Sequence, residues 1–339
     1  MRNPHFLLVF LLPCFLSCQQ AEEQALLDLT SGQGMGKITS GTGNIVFQSA
    51  DGGQTWQDIS AGLPEGLKQL TFFADESELM LCTEKGIYKN STASNTPHWE
   101  KEMSMEQQLT HVSAGPDGVM AVSDNGQILQ KLNDMGVWMP IFTNFKHQYV
   151  STIFTAKDGS IFIGADVRWG RGQQGIFKSA DQGKTWKHVM QHGWGIQMVE
   201  SDGVLLSTTN QGGILRSTDG GETWEVALNE GGVGIAVEAI KGGFAAITYN
   251  TESETRHIHT TTDGGKTWQR IDAGLPPSKL ISSIKHVGDS FYCGHPKGIC
   301  RSDDQGKSWK LLLPTIGEKV FNLSVSDGVL YAILREGGC

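Results

Sequence analysis

Arginine is nearly missing from the first half of this 339-residue chain, because none lies between Arg2 and Arg168. Charged residues make up only 19% of the sequence, and the formal net charge is −9. Proteins that bind nucleic acids need clustered lysine and arginine to neutralise phosphates. The composition therefore argues against a nucleic-acid partner, and it does not favour long solvated helices.

The apolar run at 6–16 is too short to span a bilayer. With Arg2 before it and Ser17-Cys18 after it, this run has the pattern of an export signal. The segment 15–18, Phe-Leu-Ser-Cys, resembles the bacterial lipobox, in which the cysteine is lipidated and becomes the first mature residue. Phenylalanine stands where leucine is usual in that motif, and plain secretion is the alternative.

The lipobox resemblance implies three parts: a signal peptide at 1–18, a polar tether at 19–36 and a folded domain at 37–339. A lipid on Cys18 would anchor this domain to the bacterial outer membrane, facing the periplasm or the cell surface. We expect the anchor to be the sole membrane contact and the protein to be a monomer.

Cysteine is scarce, at six residues. Loss of a signal peptide would leave four possible thiols, on Cys82, Cys293, Cys300 and Cys339. Thiols of exported proteins can oxidise, and four cysteines allow three pairings. Cys293 and Cys300 flank a short loop that could place them opposite each other in a hairpin, with buried free thiols as the alternative.

Glycine, in contrast, is abundant at 43 residues, which favours many short strands and tight turns. Five segments share the pattern Ser/Thr-x-Asp-x-Gly-x-Ser/Thr-Trp, namely 49–56, 179–186, 217–224, 261–268 and 302–309. Asp and Ser/Thr side chains can bond the backbone of a tight turn, and glycine supplies a positive φ. Tryptophan buries a large ring and offers its N–H to a carbonyl. Each segment therefore predicts a hairpin corner.

This pattern resembles the Asp-box, or BNR, repeat of sialidases, sortilin-type receptors, xyloglucanases and photosystem II assembly factors. The resemblance implies a β-propeller. Two eroded corners end at Trp99 and Trp138, so that seven tryptophan markers recur at spacings of 38 to 48 residues. Such a period fits an all-β, seven-bladed propeller with four strands in each blade.

Both ends of the folded domain are half-units. Two strands are predicted within 44–60, and two more within 319–335. We therefore predict that the two ends share one blade, which closes the ring and removes exposed strand edges.

If the first strand of each blade is innermost, the Asp-box corners lie on one face, at the outer rim. We give these corners a structural role. The opposite face collects unusual loops, above all 166–174, which holds Arg168, Trp169 and Arg171. Arginine binds carboxylates and tryptophan stacks on flat apolar surfaces. The predicted binding residues on this face are Arg168, Trp169, Arg171, His192, Trp194 and Arg256, and an ordinary solvated rim is the alternative.

Metal and cofactor chemistry are not predicted. His257 and His259 lie on one side of a strand, because side chains alternate, but no third ligand has a convincing spacing. We therefore expect no metal site and no cofactor.

Enzymatic activity is left uncertain, with a non-catalytic role favoured. Sialidase activity is disfavoured, since sialidases have six blades and an arginine triad that begins before the first Asp-box. Xyloglucanases use two propellers around a cleft, each with a catalytic aspartate. Glu200 and Glu238 are weak candidates for a glycosidase pair, although they fit a channel lining better.

Two functions are therefore weighed. The favoured one is a non-catalytic, envelope-anchored binding or assembly propeller with a protein or glycan partner that carries an anionic group. The alternative is a carbohydrate-active enzyme, similar to a glycoside hydrolase, that uses the loop-rich face.

Overall fold

Strands and turns alone make up the described parts of the chain. A computed structural model describes residues 37–38, 43–74, 78–91, 98–103, 109–115, 118–123, 125–132, 137–141, 143, 145, 148–167, 172–191, 193 and 195–336. Within these ranges there is no helix, and hence none long and apolar enough to cross a membrane.

The strands group into six continuous blades and one composite closing blade. The closing blade begins with β1 (Lys37–Ile38), β2 (Val46–Ser49) and β3 (Thr55–Asp58). Blade 1 contains β4 (Gln69–Ala74), β5 (Glu78–Thr83), β6 (Gly86–Ser91) and β7 (Glu100–Met103). Blade 2 contains β8 (Leu109–Gly115), β9 (Gly118–Ser123), β10 (Ile128–Lys131) and β11 (Trp138–Ile141). Blade 3 contains β12 (Tyr149–Thr155), β13 (Ile161–Asp166), β14 (Gly175–Ser179) and β15 (Lys187–Met190).

The second half of the chain continues in the same way. Blade 4 contains β16 (Gly195–Ser201), β17 (Val204–Thr209), β18 (Gly213–Ser217) and β19 (Glu225–Leu228). Blade 5 contains β20 (Gly234–Ile240), β21 (Gly243–Asn250), β22 (Thr255–Thr261) and β23 (Gln269–Arg270). Blade 6 contains β24 (Ser283–Val287), β25 (Ser290–His295), β26 (Gly298–Ser302) and β27 (Lys310–Pro314). The closing blade is completed by β28 (Lys319–Ser326) and β29 (Val329–Glu336).

The seven blades form a closed ring, as predicted. Each first strand contacts the first strand of the next blade, and β28 contacts β4. The closing blade has the strand order β1-β3-β2-β29-β28, with Phe47 of β2 paired to Ala332 of β29. The sequence did not predict β1, a two-residue strand that pairs in parallel with β3.

The Asp-box corners join the third and fourth strands, as predicted. In blade 4, Ser217 Oγ donates to Asp219 (2.8 Å) and accepts from the Gly221 N–H (2.9 Å). The backbone N–H and hydroxyl of Thr223 both donate to the Asp219 carboxylate, at 3.0 and 2.6 Å. The same set of bonds recurs in the other four corners. The aspartates therefore serve the turns.

Each corner also packs on the preceding blade. Gly221 has a φ of +82, and a Cβ there would lie 2.4 Å from the Phe162 ring of blade 3. The Trp224 and Phe162 rings meet edge to face, 6.3 Å apart. Glycine is thus needed both for the backbone conformation and for contact between blades.

Burial of the corner tryptophans is less uniform than predicted. Trp56 and Trp309 are buried, whereas Trp186, Trp224 and Trp268 are half-buried. The indole of Trp309 also differs, since it donates to Ile271 O of blade 5 at 2.9 Å. Trp99 of the eroded first corner donates in the same way to Ile59 O, at 2.7 Å.

Candidate functional site

The two faces of the ring differ in the connections that they carry. We call the side with the fourth-to-first and second-to-third connections the loop face, and the side with the Asp-box corners the corner face. Among the described residues, 167 and 172–174 of the β13–β14 connection lie on the loop face, as do 191, 193 and 251–254. The strand order thus supports the predicted distribution of loops.

Five predicted binding residues lie outside the described residues: Arg168, Trp169, Arg171, His192 and Trp194. The same holds for the predicted lipidation site, Cys18, and for Cys339. The described residues that flank 168–171 are Val167 and Gly172, and these two lie on the loop face of blade 3.

Arg256 differs from the exposed binding side chain that the sequence led us to expect. It is only 8% exposed, and its Nη1 donates to Ile281 O at 3.0 Å. Its backbone N–H donates to Ser278 O at 2.8 Å. Arg256 therefore holds the connection that leads from β23 to β24, and we leave it out of the proposed binding surface.

The two candidate carboxylates of a glycosidase pair bind neighbouring blades. Glu200 Oε2 accepts from the Lys157 N–H of blade 3 at 2.7 Å. Glu238 Oε2 lies 2.6 Å from Lys285 Nζ of blade 6. Both side chains lie on first strands and are half-buried. Their contacts tie neighbouring blades together.

A buried polar cluster surrounds His257 and His259 in blade 5. His257 Nδ1 lies 2.9 Å from Asp272 Oδ2, and His259 Nε2 lies 3.5 Å from Glu230 Oε1. The two imidazole rings are perpendicular, with centroids 6.5 Å apart. Burial lowers the pKa of His259. Among the described residues, no group of three or more metal-binding side chains forms a site.

The acidic partners in this cluster were missed at the sequence level. Asp272 follows the short strand β23, and Glu230 lies in the connection before β20. Neither position has a local motif, and only the antiparallel pairing of β22 with β23 brings Asp272 beside His257. The buried histidines themselves were the available signal, because a buried polar group needs a partner.

A cavity of about 650 Å³ opens on the loop face at the closing blade. Its polar lining includes Asp58, Ser60 and Lys319, and its apolar lining includes Leu67 and Ile316. Asp58 is 7% exposed and accepts from the Asn44 and Ser60 N–H groups, both at 2.9 Å. The volume and the mixed lining are those of a small-molecule or side-chain site.

The three described cysteines, Cys82, Cys293 and Cys300, are buried free thiols. Cys293 and Cys300 are directly paired across β25 and β26, as the predicted hairpin requires. Burial raises the pKa of the Cys82 thiol to about 12, with a smaller contribution from the Glu102 charge. Of the two alternatives, disulfide or buried free thiol, the structure therefore has the free thiol at these three positions.

The BNR/Asp-box repeat family model matches residues 215–226 and 259–270, which are the corners of blades 4 and 5. The matched segments carry two of the five hydrogen-bonded corners described above, and the ring has seven blades. The chain is a BNR-repeat β-propeller. No curated protein matches the sequence.

Solved structures similar to this BNR-repeat propeller include YCF48 bound to D1 peptide, with 14% identity and a TM-score of 0.57 over 81% of this chain and 94% of that one. YCF48 from Cyanidioschyzon merolae has 14% identity and a TM-score of 0.58, covering 80% of this chain and 97% of that one. The extracellular domain of the putative one component system BT4673 from B. thetaiotaomicron has 11% identity and a TM-score of 0.59. That match covers 78% of this chain and 39% of the other. At these identities the likeness shows the fold.

Proposed function

We propose that this propeller binds a protein partner with its loop face, in an assembly or recognition role. One observation supports the proposal: the described ends of the long β13–β14 connection, at 167 and 172–174, and the 650 Å³ cavity lie on the face opposite the Asp-box corners. Loops held by a rigid scaffold are where binding residues concentrate. YCF48, which has the same fold, is seen with a bound peptide, and this supports a protein partner over a glycan.

The partner chemistry follows from the side chains of the 167–174 connection. Arg168 and Arg171 would pair with an anionic group, and Trp169 would supply apolar contact. His192 and Trp194 belong to the next connection on the same face and would extend this surface. The cavity at the closing blade lies three blades away around the ring and would serve as a separate pocket.

A double substitution, Arg168→Ala with Trp169→Ala, tests this surface. We expect the variant to keep the melting temperature of the parent and to lose at least ten-fold in affinity for the protein recovered from the native envelope. The matched control is Lys184→Ala with Lys266→Ala, which removes two exposed charges from the corner face. Equal loss in the control, or recovery of a glycan and no protein, would refute the proposal.

We further propose that Cys18 carries a lipid that anchors the propeller to the outer membrane. The lipobox-like segment 15–18 and the polar stretch after it support this location. Cys18→Ala should abolish incorporation of a labelled fatty acid and release the protein from the membrane fraction. Equal labelling of variant and parent would end this proposal, while leaving the binding surface untouched.

A further inference from the structure

A continuous chain of hydrogen bonds runs from the loop face of blade 5 into its interior. Ser253 Oγ lies 2.6 Å from Thr255 Oγ1, which lies 3.1 Å from His257 Nε2. His257 Nδ1 lies 2.9 Å from Asp272 Oδ2. Ser253 is exposed, Thr255 is half-buried, and His257 and Asp272 are each 7% exposed. The chain therefore links an accessible hydroxyl to a buried imidazole and carboxylate.

The contacts of Asp272, at the buried end of the chain, determine which group donates in each of these hydrogen bonds. Arg270 Nε and Nη2 donate to the two oxygens of Asp272, at 2.5 and 3.1 Å, which favours the ionised carboxylate. An ionised carboxylate only accepts, so the neutral His257 carries its proton on Nδ1 and donates it to Asp272. His257 Nε2 then accepts from the Thr255 hydroxyl, and the Thr255 oxygen accepts from Ser253. Every proton points inward.

We propose that Ser253 is a nucleophile that takes an acyl group from small activated esters. Thr255, His257 and Asp272 lie at the hydrogen-bond spacings of a hydroxyl–imidazole–carboxylate triad, and Ser253 is bonded to the hydroxyl of that triad, so that Thr255 would relay its proton. Thr255 has its proton and one lone pair engaged, whereas Ser253 has lone pairs open to solvent. The loop is also fixed, because Asn250 Oδ1 accepts from the Glu252 and Ser253 N–H groups at 3.0 and 2.9 Å.

The step balances within these residues. Ser253 Oγ attacks the ester carbonyl, its proton moves to Thr255, and the Thr255 proton moves to His257 Nε2. The Asp272 carboxylate stabilises the imidazolium. The acyl–oxygen bond of the ester breaks, and the departing alkoxide takes a proton from the Thr255 hydroxyl, which recovers one from His257 Nε2. This leaves acyl-Ser253 and an alcohol. Water releases the acid by the reverse proton path.

The test is labelling of the full-length protein with an alkyl fluorophosphonate, with the adduct mapped by peptide mass spectrometry. The reagent forms a phosphorus–oxygen bond to the hydroxyl and expels fluoride. We expect Ser253 to react at least ten-fold faster than Ser201, a half-exposed serine that has no histidine partner in the described structure and serves as internal control.

Matched variants separate the relay from a purely structural network. Thr255→Val removes the central hydroxyl at nearly constant volume and should reduce Ser253 labelling to the Ser201 rate, whereas Thr255→Ser should retain it. Asp272→Asn should reverse the histidine tautomer, so that Nε2 no longer accepts from Thr255, and should reduce Ser253 labelling to the Ser201 rate. Melting temperatures identify any variant that fails to fold. An unlabelled Ser253 in the parent, or equal labelling in parent and folded Thr255→Val, would overturn the proposal.

Discussion

At the scale of single residues, the fold depends on polar groups that keep one protonation state. Five turn aspartates accept several hydrogen bonds each as carboxylates, and His295 is held as a neutral imidazole. His295 Nε2 lies 3.0 Å from Pro276 O and therefore donates, while Nδ1 accepts from the Lys297 N–H at 3.1 Å. A second proton on His295 would remove that acceptor.

The lowered pKa values of these groups predict that the folded protein loses stability in acid. Burial lowers the pKa of His295 from 6.5 to about 4. The neutral imidazole therefore contributes fully to stability above pH 6.5, and this contribution is lost as the pH falls to about 4. Hydrogen bonds from Thr185 lower the pKa of Asp181 from 3.8 to about 2, and those from Ser308 do the same for Asp304. The contribution of these two carboxylates to stability is present above pH 3.8 and is lost as the pH falls to about 2.

Thermal unfolding between pH 7 and pH 3 checks this prediction. The melting temperature should fall first between pH 6.5 and 4, and again below about pH 4. In the variant His295→Gln the first fall should be smaller, although the variant starts from a lower melting temperature. A melting temperature that is flat from pH 7 to pH 4 would contradict the assignment of a neutral, buried His295.

At the scale of elements, a basic residue just before the corner of one blade binds the corner of the next. Arg216 Nε donates to Gly264 O at 2.6 Å, and Arg301 Nη1 donates to Gly52 O at 3.1 Å. Lys178 Nζ lies 2.7 Å from a Glu222 oxygen. These contacts join successive blades on the corner face, which explains why this position, immediately before the Asp-box Ser/Thr, is basic in three blades.

Removal of the Arg301 contact should destabilise the ring at its closure. Arg301 also covers the Tyr292 ring, 5.6 Å from the centroid, and donates to Asp303 at 2.6 Å. Hydrogen bonds from charged groups contribute roughly 1.5–3 kcal/mol each, so Arg301→Leu should lower the free energy of unfolding by about that amount. The control is Lys310→Leu, an exposed residue paired opposite Arg301 on β27. Equal stability of the two variants in urea titrations would refute the role of this contact.

The sequence was sufficient to predict the repeating elements, because each corner contains its own bonding partners within eight residues. Ser217, Asp219 and Thr223 define their turn without help from the rest of the chain. Residues whose roles depend on contacts between distant elements were harder to predict. The sequence predicted an exposed loop arginine at Arg256. Its hydrogen-bond partner, the carbonyl of Ile281, lies 25 residues away in an irregular connection. Asp272 was overlooked for the same reason.

At the scale of the whole molecule, the order of the strands along the chain explains both the closure of the ring and the difference between its two faces. The ends of the domain supply β2, β3, β28 and β29 to the same blade, so the ring has no open first strand among the described residues. The repeated corners then all point to one face and are occupied by contacts between blades. The other face is left to connections of unequal length, which is the physical basis of the proposed division between stability and binding.

Site-specific photocrosslinking in intact cells tests that division most directly. A photoreactive amino acid is placed at Gln173, exposed on the loop face of blade 3, or at Lys184, exposed on the corner face of the same blade. Because the two positions share a blade, folding and abundance are matched. We predict a discrete adduct with a partner protein from position 173 and none from position 184. An adduct from position 184 alone, or equal adducts from both, would contradict binding through the loop face.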